Sequence, residues 1–185
     1  MKLFIILEMK FNKLVTDCLF IQNQNFNGAF VQAQALDKRV QGDGTRVFEL
    51  GLICVENKSY NIARKCFDYV ISLGSSQPLY FESQKSLLNT RFIEITTNRS
   101  YSSVEIAATI QDYNDALTRL GKSRFTFQII LELAHIKAFY GEQVLESIEL
   151  LNNLLDTPGL TDMQRAQVKM KLADVQVLGG DIWEA

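Results

Sequence analysis

Residues 46–78 read RVFELGLICVENKSYNIARKCFDYVISLGSSQP. Val47, Leu50, Gly51, Cys54 and Val55 recur at the three- and four-residue spacing of one helix face. Asn57-Lys58-Ser59 interrupts that face, and Tyr60, Ala63, Phe67, Val70 and Ile71 then start a second one. Gly74 supplies the left-handed residue that commonly ends a helix. Ala63 follows Gly51 by twelve residues, Tyr60 lies three before Ala63, Phe67 four after it, and Pro78 closes the unit. Small residues on both helices let two backbones cross closely, and the aromatics fill the space around the crossing. The stretch predicts an antiparallel helix pair.

The same reading extends in both directions. Breakers recur at Asn23-Gln24-Asn25, Gly42-Asp43-Gly44, Asn98-Arg99-Ser100, Gly121-Lys122-Ser123, Gly141, Thr157-Pro158-Gly159 and Gly179-Gly180. Each segment between them carries one apolar stripe, and no alternating strand pattern is found. Phe4, Leu7, Phe11, Leu14, Val15 and Cys18 mark a first amphipathic helix, and a second runs from about Asn25 to Val40. Thr45 is expected to cap the third helix, Ser59 to start the fourth and Ser123 to open another. Thr161-Asp162-Met163-Gln164 reads as a capping box. The expected hairpins are 3–41, 45–74, 76–121, 123–156 and an incomplete 161–185, in a single all-α domain over 1–185. Short connections make sequential helices antiparallel neighbours.

The grammar of 46–78 recurs elsewhere. Leu172-Ala173 is followed twelve residues on by Ala185, with Gly180-Asp181 in the turn and Ile182 three before Ala185. Phe26, Ala29 and Ala33 repeat the second-helix half, although Asp17 stands where the small residue of the first helix belongs. Leu133-Ala134 opens a further example, with Ser147 as the small partner one step late. This pattern resembles the tetratricopeptide repeat family of helix–turn–helix modules. It is carried by 46–78, followed by 10–41 and 165–185, whereas 79–155 has longer repeats without the small-residue pairs. The ending, from Lys171 to Ala185, is similar to repeat proteins of Bacteroidetes-type bacteria. The resemblance implies a right-handed α-solenoid that holds a peptide or protein along its concave face, without catalysis.

Composition narrows the alternatives. The chain has 185 residues and a net charge of −2, from 19 Lys and Arg against 21 Asp and Glu. That balance gives no basic footprint for nucleic acid. The hydrophobic share of 47% supports a core, and two Pro in the whole chain favour long helices. Cys18, Cys54 and Cys66 are odd in number, widely spaced and without a CxxC pair, so they read as buried apolar thiols. The opening Leu3-Phe4-Ile5-Ile6-Leu7 run stops at Glu8, too short for a signal peptide or a membrane span. Cytoplasm is therefore favoured, and the periplasm fits if a signal stands upstream. Asn57-Lys58-Ser59 and Asn98-Arg99-Ser100 match the glycosylation pattern, which matters only in a eukaryotic secretory route.

No chemistry-bearing motif emerges. His135 is the only histidine, so no multi-histidine metal site can form, and there is neither HExxH, GxSxG nor a phosphate-cradling glycine loop. Gly42-Asp43-Gly44-Thr45 partly matches a phosphatase nucleophile loop, but Gln41 occupies the nucleophile's place, which leaves a helix connector. Glu142, Glu146 and Glu149 fall on one side of a helix and read mainly as a solvated face. The reading is a non-enzyme with no cofactor and no metal, no nucleic-acid partner and no membrane insertion. Its expected partner-binding residues are Glu49, Glu56, Gln84, Asn89, Lys171 and Asp174, polar positions on the first helices of successive hairpins. Leu172, Val175, Ile182 and Trp183 are expected to form an uncovered apolar edge, because the sequence stops halfway through a hairpin. That edge suggests a piece of a longer solenoid, or a homodimer joined there as an assembly module. A repeat segment beside a catalytic domain outside these residues is the remaining alternative.

Overall fold

A computed structural model describes residues 25–97 and 101–180. The helix expected over 4–18, Cys18, the 98–100 sequon, Ile182 and Trp183 lie outside the described residues. Among the described residues the protein is all-α. Eight helices follow one another: α1 (Phe26–Val40), α2 (Thr45–Glu56), α3 (Tyr60–Ser72), α4 (Tyr80–Thr97), α5 (Ser103–Leu120), α6 (Phe127–Phe139), α7 (Val144–Leu155) and α8 (Asp162–Gly179). They gather into two compact units, residues 1–90 and 91–185, with α4 running through the boundary.

In the first unit α1 packs on α2 and α3, and α2 packs on α3. The core holds Ala29, Ala33, Val47, Leu50, Cys54, Ala63, Phe67 and Val70. Gly51 is the crossing point of α2 and α3. A Cβ there would sit 2.6 Å from Phe67 Cε1 and 3.1 Å from Cys66 Cβ, so no larger residue fits without displacing the ring. Cys54 and Cys66 are buried free thiols at this interface. Hydrogen bonding to Cys54, then burial, pushes the Cys66 thiol up, and it stays protonated.

The α1–α2 connection is organised by a residue with no motif around it. Asp37 is buried at the end of α1. Its Oδ1 accepts from the Gly44 N–H at 3.2 Å, and its Oδ2 accepts from the Tyr69 hydroxyl at 2.9 Å. A Cβ on Gly42 would lie 2.2 Å from Asp37 Oδ1, which explains the glycine there. Burial first, then the Asp37 hydrogen bond and charge, push the Tyr69 phenol up to about 12. Gly-Asp-Gly is thus a connector shaped around a carboxylate. Asp37→Ala, which strands the phenol and an amide, is expected to cost about 2 kcal/mol in urea unfolding, and Tyr69→Phe about 1. Equal midpoints for Asp37→Ala and the parent would refute this role.

Two expected caps take a different form. Thr45 does not cap α2; the N-cap is Gly44 at φ 83°, and the Asp43 carboxylate accepts from the Thr45 N–H at 3.0 Å. Ser123 does not open a helix, because Thr126 folds back first. Its hydroxyl donates to the Gly121 carbonyl at 2.9 Å and accepts from the Ser123 N–H at 2.9 Å, so α6 begins at Phe127. The Thr161 capping box forms: Thr161 Oγ1 accepts from the Gln164 N–H at 3.2 Å, and the Thr161 N–H donates to Gln164 Oε1 at 3.0 Å. A second box, Ser102 with Glu105, starts α5.

In the second unit α5 packs on α6, α6 on both α7 and α8, and α7 on α8. Helix α6 is apolar nearly all round, with Ile129, Ile130, Leu133, Ala134, Ile136 and Ala138 buried, as a central helix requires. Ser147, the small residue expected opposite Ala134, is fully buried, and its hydroxyl donates to the Ala134 carbonyl at 2.8 Å. Glu132 is buried on the same helix. It accepts from the Tyr113 hydroxyl at 2.8 Å and from Gln128 Nε2 at 2.9 Å.

Candidate functional site

Helices α4, α6 and α8 alternate along the chain, and each contributes to one cluster in the second unit. His135, on α6, stacks on Phe139 one turn later with ring centroids 4.5 Å apart. Phe92 from α4 meets the imidazole edge-on at 5.5 Å, and Tyr140 lies 5.9 Å away. From α8, Lys171 Nζ stands 3.3 Å from His135 Nδ1 and 3.6 Å from an Asp174 carboxylate oxygen. Phe139 is 40% exposed, so the stack reaches the surface.

The spacing explains the assembly. Residues 135 and 139 differ by one helical turn, as do 171 and 174 within rounding, so each pair shares a face. Burial first, then the Lys171 ammonium, hold the His135 imidazole down at about 4, with Asp174 offsetting part of the effect. At neutral pH the ring is uncharged. An ammonium has only protons to give, so Nδ1 is the acceptor and the ring proton sits on Nε2. The cluster presents an aromatic shelf, a cation and a carboxylate. It suits an apolar or aromatic side chain beside a polar group.

Of the expected partner-binding residues, Lys171 and Asp174 enter this cluster. Glu49 and Glu56 are exposed on α2, in the other unit, and Asn89 is half-buried. Gln84 is the exception: it is 3% exposed, and neither its Nε2 nor its Oε1 has a hydrogen-bond partner. It cannot meet a partner from the surface. The helical periodicity of α4 is weak, so its polar positions do not mark its outer face. Replacing this stranded amide by methionine should stabilise the fold by about 1 kcal/mol, read as a higher urea midpoint. A lower midpoint would mean that the amide is satisfied.

The expected apolar edge is also redrawn. Leu172 is half-buried and Val175 fully buried, because the face of α8 that carries Val168 and Val175 is turned inward. Glu142 precedes α7 at φ 54° instead of joining a row along it, and Glu146 is ion-paired with Lys137. Among the described residues, no three His, Cys, Asp or Glu side chains gather where a metal ion could be held, and no helix is long and apolar enough to cross a membrane.

No family model and no curated protein matches this chain.

The reading of the site therefore rests on its own chemistry. The sequence marks Lys171 and Asp174 as polar positions of a first helix, but it offers His135 only as a histidine too solitary for a metal site and does not single out Phe92, Phe139 or Tyr140. The available signal was His135 and Phe139 at one-turn spacing, with Lys171 on the next first helix.

Proposed function

We propose that this protein is a non-catalytic interaction scaffold of tetratricopeptide-like helix hairpins that holds a peptide or protein segment along its first helices. The single observation that carries this reading is the joining of Phe92, His135, Phe139 and Lys171 from three alternate helices. A surface assembled from every second helix is what stacked hairpins offer to an extended partner. Packing of α1 on α3 and of α6 on α8, past the intervening helix, supports the same stacking within each unit. In this reading the partner's apolar side chain rests on Phe139, and Lys171 and Asp174 orient its polar groups.

Selection of a random 12-residue peptide library on the immobilised chain tests it. A shared sequence should be enriched and then lost when Phe139→Ala and Lys171→Ala are combined, with the helical circular dichroism unchanged. No enrichment at all, or no enriched sequence that responds to the double substitution, would sink the reading.

Self-association has one observation in its favour. Met163, Met170 and Val177 stand at seven-residue steps on α8 and are 75%, 71% and 55% exposed. Sedimentation at rising concentration should then show a dimer that Met170→Glu abolishes.

A further inference from the structure

Helix α6 borders two separate features, the His135 cluster and a cleft lined by Leu133 and Lys137. Positions 133 and 137 lie about 160° around the helix from position 135, since each residue advances about 100°. The His135 shelf therefore occupies one side of α6, and Leu133 and Lys137 point to the other. There α5 and α7 stand apart and leave an open cleft of about 410 Å³ over α6. Its floor is leucine, from Leu117, Leu133 and Leu150; its rim carries Asn114 and Lys122 on one side and Glu149 and Asn153 on the other.

The rim selects a ligand class. Its charges are Lys122 and Lys137 against Glu146 and Glu149, so they balance. Lys137 is moreover engaged by Glu146 and donates to Gln143 Oε1 at 3.0 Å. A phosphate or a polyamine finds no net counter-charge here. Carboxamides on facing helices offer one donor group and one acceptor each, which is the complement of a peptide group and not of an ion. Asn114 of α5 and Asn153 of α7 both line the cleft, so their carboxamides are uncharged polar groups it offers from the two helices. The volume falls within the range of small-ligand sites, and the apolar floor suits one aliphatic side chain.

We propose that this cleft is a second binding site, for a short extended peptide segment of no net charge with a central aliphatic residue. Asn114 and Asn153 hold its backbone, Leu117, Leu133 and Leu150 receive its side chain, and Lys122 and Glu149 meet flanking acid and base. The site lies on the opposite side of α6 from the shelf in the proposed function, and the two readings stand or fall separately.

The test is a nuclear magnetic resonance titration of the full chain with the capped tripeptide Ac-Glu-Leu-Lys-NH2, with inorganic phosphate and spermidine as comparators. Saturable shifts are expected in the Asn114 and Asn153 side-chain amides and the methyls of the three leucines. Combined Asn114→Ala and Asn153→Ala should weaken binding about tenfold, the loss of one or two net hydrogen bonds. Phe139→Ala should leave it unchanged. Both asparagines lie at the rim, so the double variant is expected to fold, which its amide spectrum verifies. The proposal is overturned if the tripeptide shifts nothing, if the shifts centre on His135 and Phe139, if they survive the asparagine substitutions, or if phosphate or spermidine binds the cleft more tightly.

Discussion

Acidification from pH 7 to pH 4 is expected to remove about 2–3 kcal/mol of stability through His135 alone. The imidazole sits at about 4 in the fold against 6.5 in a free chain. At pH 7 both states hold it neutral. As pH falls through 6.5 the unfolded chain takes up the proton and the folded one does not, so unfolding gains; the loss is complete once pH passes about 4. At about 1.4 kcal/mol per unit the gap corresponds to roughly 3 kcal/mol, trimmed because the ring is only partly buried. The cause is specific. Phe92, Phe139 and Tyr140 exclude water from the ring, and the Lys171 ammonium faces it. His135→Phe keeps the stack and removes the titration, so the difference in unfolding free energy between parent and variant should slope between pH 6.5 and 4 and be flat above. Lys171→Met should raise the histidine midpoint without restoring 6.5, because burial is the larger cause. A histidine midpoint near 6.5 in the folded parent would remove the argument.

The second large effect is at Gly51. A methyl group added there overlaps a Phe67 ring that is itself fully buried. Alanine gains about 1 kcal/mol of helix propensity over glycine, but overpacking a closed core costs about 1–3 kcal/mol. Gly51→Ala is therefore expected to lose about 1 kcal/mol net, and Gly51→Leu more than about 3 kcal/mol, enough to separate α2 from α3. Phe67→Leu in the Gly51→Ala background should recover part of the loss, because the two residues occupy one space. Additive losses in that double variant, measured by urea unfolding, would show that the crossing is looser than the distances indicate.

Helix positions and two of the helix crossings were legible because they depend on spacing along one chain. Leu50-Gly51 and Ala63 marked the α2–α3 crossing, and Ala134 with Ser147 marked that of α6 and α7, since a close approach of two helices needs small residues on both. Caps were less legible: Thr45 and Ser123 have the right chemistry, but the chain uses Asp43 and Thr126, whose side chains reach the needed groups only after the turns have closed. The candidate site was half legible. Lys171 and Asp174 stood out as polar residues on a first helix, yet nothing local joins them to His135, 36 residues away. Gln84 and Val175 were misjudged for the same reason, because exposure depends on which helix covers which.

The sequence by itself determined that the described residues form paired helices, with small residues at the crossings of α2 with α3 and of α6 with α7. Periodicity and side-chain volume are properties of neighbours in the chain, and they need no third dimension. Only the tertiary structure decided that Asp37 is a buried anchor, that His135 is held neutral under an aromatic shelf, and that α6 separates that shelf from a leucine-floored cleft. Each depends on groups from different helices sharing one small volume, where burial and charge act through space.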